Sequence, residues 1–223
     1  MNYTSVAIDG PAGAGKSSIS KELAKKLNYI YVDTGAIYRS LAYTAINCGY
    51  NTKKDVDKIA DLANKCKVEL KYINSVQHIF VDGNDVSEYI RTPEVSRAAS
   101  DVSAIPAVRD ALLSIQRNIA KTNNVLMDGR DIGTVVLPNA TIKIFLTASI
   151  EERAKRRYKE LTEKGVECNF EDIKKDIAYR DEQDSNRPVA PLKPAEDAVI
   201  FDNSDLDFGQ SVEYLYKMIK ENV

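Results

Sequence analysis

A glycine-rich segment near the start of the chain has the residue types and the spacing of a phosphate-binding loop. Residues 10–17 read Gly-Pro-Ala-Gly-Ala-Gly-Lys-Ser, which satisfies the pattern G-x-x-x-x-G-K-[ST]. Glycines let backbone N–H groups turn toward phosphate oxygens, and a helix beginning near Lys16 adds the positive end of its dipole. The pattern predicts that Lys16 reaches the β- and γ-phosphates of a nucleoside triphosphate and that Ser17 binds Mg²⁺.

Phosphate-binding loops serve switches and motors as well as kinases, and three sequence features separate these classes. A GTPase switch needs D-x-x-G, a pattern that does not occur in this sequence. Residues 52–55 read T-K-x-D, but they follow a polar segment rather than an apolar strand, so they predict the start of a helix. Residues 207–209 spell D-F-G, yet the single histidine, His78, is followed by isoleucine and cannot supply the H-R-D of a protein kinase. Motors and helicases usually need a longer chain than these 223 residues, so these features favour a small-substrate kinase.

Charged residues near two other predicted strands indicate a second anionic substrate. Residues 33–35, Asp-Thr-Gly, end the predicted strand 29–32, and Arg39 lies one helical turn further on. Residues 128–131 read Asp-Gly-Arg-Asp directly after the predicted strand 125–127. In an open α/β sheet, ligands bind at the carboxyl ends of the strands. Asp33 and Asp128 are therefore candidates for holding Mg²⁺ through water. Arg180, Asp184 and Arg187 follow at i, i+4 and i+7, which places them on one helix face.

The arginines can also be read as parts of surface ion pairs, and that reading suits any one of them. It is weaker for Arg39, Arg130 and Arg187 taken together. An arginine-rich cleft opposite a phosphate-binding loop suits a phosphoryl acceptor.

The overall composition restricts the remaining possibilities. The 223 residues include 31 Lys+Arg against 33 Asp+Glu, a net charge of −2, which argues against a bulk nucleic-acid binder. One histidine excludes a multi-histidine metal site, and three cysteines without a C-x-x-C pair suit a reducing compartment. No apolar run approaches the ~18 residues of a membrane span, and the N-terminus does not read as a signal peptide. We therefore expect a cytoplasmic protein with no membrane or nucleic-acid partner.

The elements that must position these residues alternate between strand and helix. Short apolar runs at 125–127, 142–146 and 198–201 do not alternate with polar residues, which is typical of strands buried on both faces of a parallel sheet. Residues 67–72 and 77–81 do alternate and predict a small antiparallel piece. The fold class is thus α/β, a helix-covered parallel sheet with an insertion near 50–105. The charge-dense segment 151–187 is either a solvated helical pair or a mobile flap.

Several motifs together resemble the bacterial cytidylate kinases, of the nucleoside monophosphate kinase group. They lie at residues 9–17, 33–39, 90–95, 128–136, 143–146 and 187–192, so the resemblance runs nearly end to end. It implies a single P-loop NTPase domain with a five-stranded parallel sheet. The core would comprise 1–33, 106–150 and 188–223, the monophosphate-binding insert 34–105, and the lid 151–187. It also implies transfer of the γ-phosphoryl group from ATP to CMP or dCMP, by a protein that we expect to be a monomer.

The resemblance implies a role for each matching residue. Ser100, Arg109 and Asp131 would read cytosine, whose amino group suits a carboxylate where the carbonyl of uracil would be repelled. The ribose would contact Arg180 and Asp184, and the CMP phosphate would contact Arg39, Arg130 and Arg187, with Thr34 also in the CMP site. Arg153 would reach adenine and Arg157 the transferred phosphoryl, with Lys155 and Arg156 as alternatives. The implied catalytic residues are Lys16, Arg130, Arg157 and Arg187, and the implied ATP-binding residues are Gly10, Pro11, Ala12, Gly13, Ala14, Gly15, Lys16, Ser17, Ser18 and Arg153.

Two rival functions stay open on the sequence alone. One is another small P-loop kinase, acting on AMP, UMP or a non-nucleotide acid. The other is a nucleotide-dependent binding protein or switch, against which the missing D-x-x-G weighs.

Overall fold

Two sheets organise the chain in the computed structural model, which describes residues 3–74 and 76–223. Their strands are β1 (Ser5–Asp9), β2 (Ile30–Asp33), β3 (Val68–Ile73), β4 (Val76–Val81), β5 (Asn84–Asp85), β6 (Val125–Gly129), β7 (Ile142–Thr147) and β8 (Val199–Asp202). The larger sheet is parallel throughout, in the order β2-β6-β1-β7-β8, and the smaller one is antiparallel, in the order β3-β4-β5. The prediction of a five-stranded parallel sheet with a small antiparallel piece is confirmed.

Helices connect the strands of the large sheet and cover it. They are α1 (Lys16–Leu27), α2 (Thr34–Asn47), α3 (Val56–Lys65), α4 (Pro93–Ser103), α5 (Pro106–Ala120), α6 (Ile150–Glu163), α7 (Phe170–Asn186) and α8 (Phe208–Glu221). A 3₁₀ turn at Tyr89–Arg91 and a π-helical turn at Ile132–Val136 complete the irregular parts. None of the helices in the described ranges has both the length and the apolar character that a bilayer span requires.

The central strands are apolar because helices cover both of their faces. Val6, Ala7 and Ile8 of β1 have no exposed surface, and neither has any residue from Val125 to Met127 of β6. The parallel register places Asp9 beside Gly129 and Asp33 beside Asp128. The carboxyl ends of β1, β2 and β6 therefore meet at one edge, where the candidate residues were expected.

The segments predicted to be the insert and the lid belong to two separate hydrophobic clusters, and the first of these clusters also includes α5. Helices α2 to α5 pack with the small sheet around Leu41, Ile79, Ile90 and other buried residues. Helices α6 and α7 pack around Ala154, Leu161, Ile173 and Ile177. The segment 151–187 is therefore a packed helical pair.

Sequence patterns locate the long elements well and the short irregular ones poorly. Helix α2 begins at Thr34, directly after β2, because the Asp33 carboxylate accepts the N–H of Ala36 and caps the helix. Strand β5, the 3₁₀ turn and the π-helical turn were not predicted. The π-helical turn depends on Asp9, which is distant in sequence and accepts the N–H groups of Ile132 and Gly133.

Candidate active site

The loop between β1 and α1 has the backbone conformation that phosphate binding requires. Gly13 and Gly15 have φ values of 77° and 89°, which lie in the left-handed region. In anion-binding nests, residues with such left-handed conformations alternate with right-handed ones. A side chain at Gly10, whose φ is 149°, would place its Cβ 1.9 Å from the carbonyl oxygen of Leu146. Helix α1 begins at Lys16, directly after the loop. The strand–loop–helix context expected from the sequence is therefore present.

Lys16 lies at the base of this loop and is almost completely buried. Its ammonium donates a hydrogen bond to the carbonyl oxygen of Pro11 at 2.7 Å. Burial lowers its pKa well below the ordinary value, and the nearby Arg130 acts in the same direction. An arriving phosphate would counter both effects, because a negative charge favours the protonated amine.

A carboxylate suited to a hydrated cation lies beside Ser17. The Ser17 hydroxyl donates to Oδ2 of Asp128 at 2.8 Å, and the Tyr31 hydroxyl donates to Oδ1 at 2.9 Å. Burial raises the pKa of Asp128 to about 6, and the neighbouring Asp33 contributes to the increase. A cation at this position would favour the ionised carboxylate, so the donor set fits Mg²⁺.

Asp33 has other partners in the structure. One of its oxygens caps α2, and the other accepts from Arg39 at 2.8 Å and from Arg91 at 3.3 Å. Burial acts to raise the pKa of Asp33, but Arg39 and Arg91 outweigh it and the pKa is lowered. The arrangement gives Asp33 a role in orienting Arg39. Magnesium binding through water, the role predicted for Asp33, stays a prediction.

Three residues that were predicted to contact CMP form a buried charged cluster. Asp131 accepts a hydrogen bond from Arg109 and a second one from Arg187 at 3.2 Å. Arg187 also donates to the hydroxyl of Ser103 at 3.3 Å, and Arg109 lies over the ring of Tyr38. The two guanidinium groups fix the orientation of the Asp131 carboxylate.

A second arginine group faces the phosphate-binding loop and has donors that lack partners. Arg130 donates to Asp184 at 2.8 Å. Within residues 3–74 and 76–223, by contrast, the buried Nε atoms of Arg39 and Arg180 have no hydrogen-bond partner. Burial lowers the pKa of Arg180 to about 10, and Arg130 reinforces the decrease. Buried guanidinium donors without acceptors are costly, so this arrangement is suited to an anionic ligand.

The arginines at the start of α6 differ from one another in what they contact. Arg153 is buried and donates to the carbonyl oxygens of Ala148 and Ala12 and to Asp181. Asp181 in turn accepts the N–H of Ala12. The donors of Arg153 join the glycine-rich loop to α7. The expectation that Arg153 faces adenine stays a prediction. Arg156, bonded to Asn203, and Arg157, paired with Glu160, line the cleft instead.

The cleft that these residues line has a volume of about 970 Å³. Most of the predicted site residues line it, namely Ala12, Gly13, Gly15, Lys16, Ser17, Ser18, Asp33, Thr34, Arg39, Ser100, Asp128, Arg130, Asp131, Arg157, Arg180, Asp184 and Arg187. Five other predicted residues lie behind the surface of the cleft and affect it through the residues that line it. They are Gly10, Pro11, Ala14, Arg109 and Arg153. Thr34, for example, donates to the backbone oxygen of Asp128 at 2.8 Å, tying α2 to β6.

Comparisons with known proteins agree with one another on the family. The model of the family described as cytidylate kinase matches residues 6–221. A cytidylate kinase of Caldicellulosiruptor saccharolyticus is 48% identical over the full length of both chains, and one of Streptococcus pyogenes is 47% identical over 100% of this chain and 99% of its own. The chain belongs to the cytidylate kinase family. A solved but uncharacterised protein from Eubacterium ventriosum, 11% identical, covers 97% of this chain and 98% of its own with a TM-score of 0.52, which shows a shared fold.

Four residues of this cytidylate kinase family member support the site without having been predicted. Asp9 fixes the turn after Asp131, Tyr31 orients Asp128, Ser103 contacts Arg187, and Asp181 holds Ala12. Asp9 directly precedes the glycine-rich motif, and that position was the one available signal. The others have no spacing that marks them, because each acts on a residue far away in sequence.

Proposed function

We propose that this chain transfers the γ-phosphoryl group of ATP to CMP and dCMP, with Mg²⁺ as the metal ion. The observation that carries the proposal is the placement of a second anion site opposite the phosphate-binding loop. Arg39 and Arg180 present buried, unpartnered donors there, and Arg130 and Lys16 lie beside them. Two polyanions must approach each other in phosphoryl transfer, and these cations would offset their repulsion.

The cytosine end of the acceptor is supported by the cluster around Asp131. A carboxylate held by two arginines accepts a hydrogen bond from the amino group of cytosine, and the carbonyl of uracil at the same place would be repelled. Ser100 of α4 lines the cleft on the same side. The chemistry of this cluster therefore favours CMP over UMP.

Arg180 has a stronger case for contacting an anion than for contacting ribose alone. It forms no ion pair within the described residues, its Nε is unpartnered, and it lies near Arg39, Arg130 and Arg157. Asp184, which accepts from Arg130, is better suited to accept from a ribose hydroxyl. We assign Arg180 to the region between the two phosphate groups.

The reaction needs no strong general base, because the attacking oxygen of the CMP phosphate is already anionic. That oxygen forms a bond to the γ-phosphorus, the bond from this phosphorus to the β,γ-bridging oxygen breaks, and ADP leaves with the electron pair. Lys16, Arg130, Arg157 and Arg187 stabilise charge during the transfer. Ser17 and Asp128 would hold Mg²⁺, which supplies further charge neutralisation when it is bound.

An ADP-release assay with ATP, Mg²⁺ and each of CMP, dCMP, UMP and AMP tests the proposal. We expect rapid turnover with CMP and dCMP and much slower turnover with UMP and AMP. Equal turnover with AMP or UMP would instead indicate a different monophosphate kinase. Slow ATP hydrolysis that does not depend on an acceptor would indicate a switch.

A further inference from the structure

A polar cluster outside the cleft joins the lid helix α7 to helix α4 of the insert. The Tyr179 hydroxyl of α7 donates to Oδ1 of Asp101 on α4 at 2.9 Å. The other oxygen of Asp101 accepts from the Thr52 hydroxyl, which precedes α3, at 2.8 Å. One carboxylate thus connects three segments. We call the Tyr179–Asp101–Thr52 connection the lid–insert bridge.

Two cations lie beside the bridge, and one of them forms an ion pair with α7. The Lys53 ammonium lies over the Tyr179 ring, 4.8 Å from its centroid, and the Arg97 guanidinium carbon lies 6.0 Å from it. Arg97 also pairs with Asp176, three residues before Tyr179 on α7. Cations over an aromatic face are attracted to its electrons, so these contacts favour the same α4–α7 approach.

The bridge residues are sequence neighbours of residues in the cleft. Asp101 follows Ser100, which lines the cleft on the cytosine side, and Tyr179 precedes Arg180, which presents its unpartnered donor there. The distance between Ser100 and Arg180 therefore depends on whether α4 and α7 are joined behind them. We propose that Tyr179 and Asp101 are positioning residues that hold the CMP site closed between the insert and the lid. This inference rests on the proposed function.

Each of the two parts has a buried cluster that does not include the bridge residues. The insert packs with α5 around one cluster, and α6 and α7 pack around another, as described above. Breaking the bridge should therefore leave both parts folded and change how they approach each other. Tyr179 and Asp101 do not line the cleft, so their loss removes no direct contact to substrate.

The test compares Tyr179→Phe, Asp101→Asn and the double variant with Tyr158→Phe as a control. The control makes the same chemical change on α6, where Tyr158 packs edge-on against Phe170 away from the bridge. Each bridge variant should raise the KM for CMP about ten-fold, the loss expected for one hydrogen bond to a carboxylate. The KM for ATP should stay within about two-fold, and the double variant should be no worse than the single ones.

Hydrogen exchange of the ligand-free protein gives an independent readout. In Tyr179→Phe, backbone amides of α4 and α7 should exchange faster, while those of β1 and β6 keep the wild-type rate. Unchanged exchange, an unchanged KM for CMP, or additive effects in the double variant would each overturn the inference. Wild-type protein that does not phosphorylate CMP would refute the proposed function instead, and the exchange rates would still show whether the bridge joins the two helices.

Discussion

The two halves of the cleft are built in different ways. On the side proposed to bind ATP, one continuous segment, residues 10–17, contributes backbone N–H groups, an ammonium and a hydroxyl between β1 and α1. On the CMP side, the candidate contacts come from α2, α4, α5, α7 and the turn after β6, and they are side chains. The first half depends on glycine conformation, and the second depends on arginine–carboxylate pairs.

The difference separates general phosphate binding from selectivity. Backbone N–H groups bind phosphate whatever base is attached to it, so the loop alone carries no preference for an acceptor. Side chains that arrive from separate elements can recognise one base, but they are correctly placed only when those elements pack together. Changes on the ATP side should therefore reduce all turnover, and changes on the CMP side should alter preference and CMP affinity.

Lys16→Met should have the largest effect. The substitution removes the one ammonium of the loop while retaining an unbranched side chain of similar length, so the fold should survive. We expect kcat to fall by about 10²–10³-fold or more for every acceptor, because a cation that stabilises the transferred phosphoryl is lost. Steady-state kinetics with CMP and dCMP, together with circular dichroism, would check this. Near-normal turnover would contradict the role of the loop.

Arg187→Ala should affect the CMP side alone. Arg187 contacts Asp131 and Ser103, and it is a candidate contact of the CMP phosphate. We expect kcat/KM for CMP to fall by about 10²-fold, as for other losses of a preorganised charged donor, while the KM for ATP changes little. A rise in the KM for ATP alone would place Arg187 on the other side of the cleft. Arg187→Lys should recover only part of the loss, because it keeps the charge without the two-pronged donor.

Asp131→Asn should narrow the preference between bases. The amide that replaces the carboxylate can donate to the carbonyl of uracil, so the CMP/UMP ratio of kcat/KM should fall by about 10- to 100-fold, the range for one base contact. Asp184→Asn is the matched control, because its predicted ribose contact is common to both nucleotides. That variant should lower both values and leave the ratio unchanged. An unchanged ratio in Asp131→Asn would remove Asp131 from base recognition.

The same contrast explains how much of the molecule could be predicted from sequence. The ATP side was predictable because its residues are contiguous and their spacing has a direct physical meaning. On the CMP side, Arg180 and Asp184 could be grouped by helical spacing, but their partners could not be named. The placement of Arg187 on the same helix face was wrong, because α7 ends at Asn186 and Arg187 follows it with extended backbone. Arg153 shows the limit, since arginines four apart at a helix start do not reveal which one packs against the loop. Tyr31 and Asp9 act only through packing between distant segments, so no local pattern marks them.

The smallest expected effect is a pH dependence confined to the ATP side. Asp128 has a pKa of about 6 in the free protein, so it is ionised above this pH and neutral below it. Only the ionised form attracts a hydrated cation. The value of kcat/KM for ATP, which reports groups of the free enzyme, should therefore fall as the pH decreases through about 6.

Tyr31→Phe removes a hydrogen bond that favours the ionised form of Asp128, so the fall in kcat/KM should begin at a higher pH. Tyr72→Phe is the control, because the Tyr72 hydroxyl donates to the backbone of Tyr31 and does not contact Asp128. Identical profiles for wild type and Tyr31→Phe would show that Asp128 does not control this step.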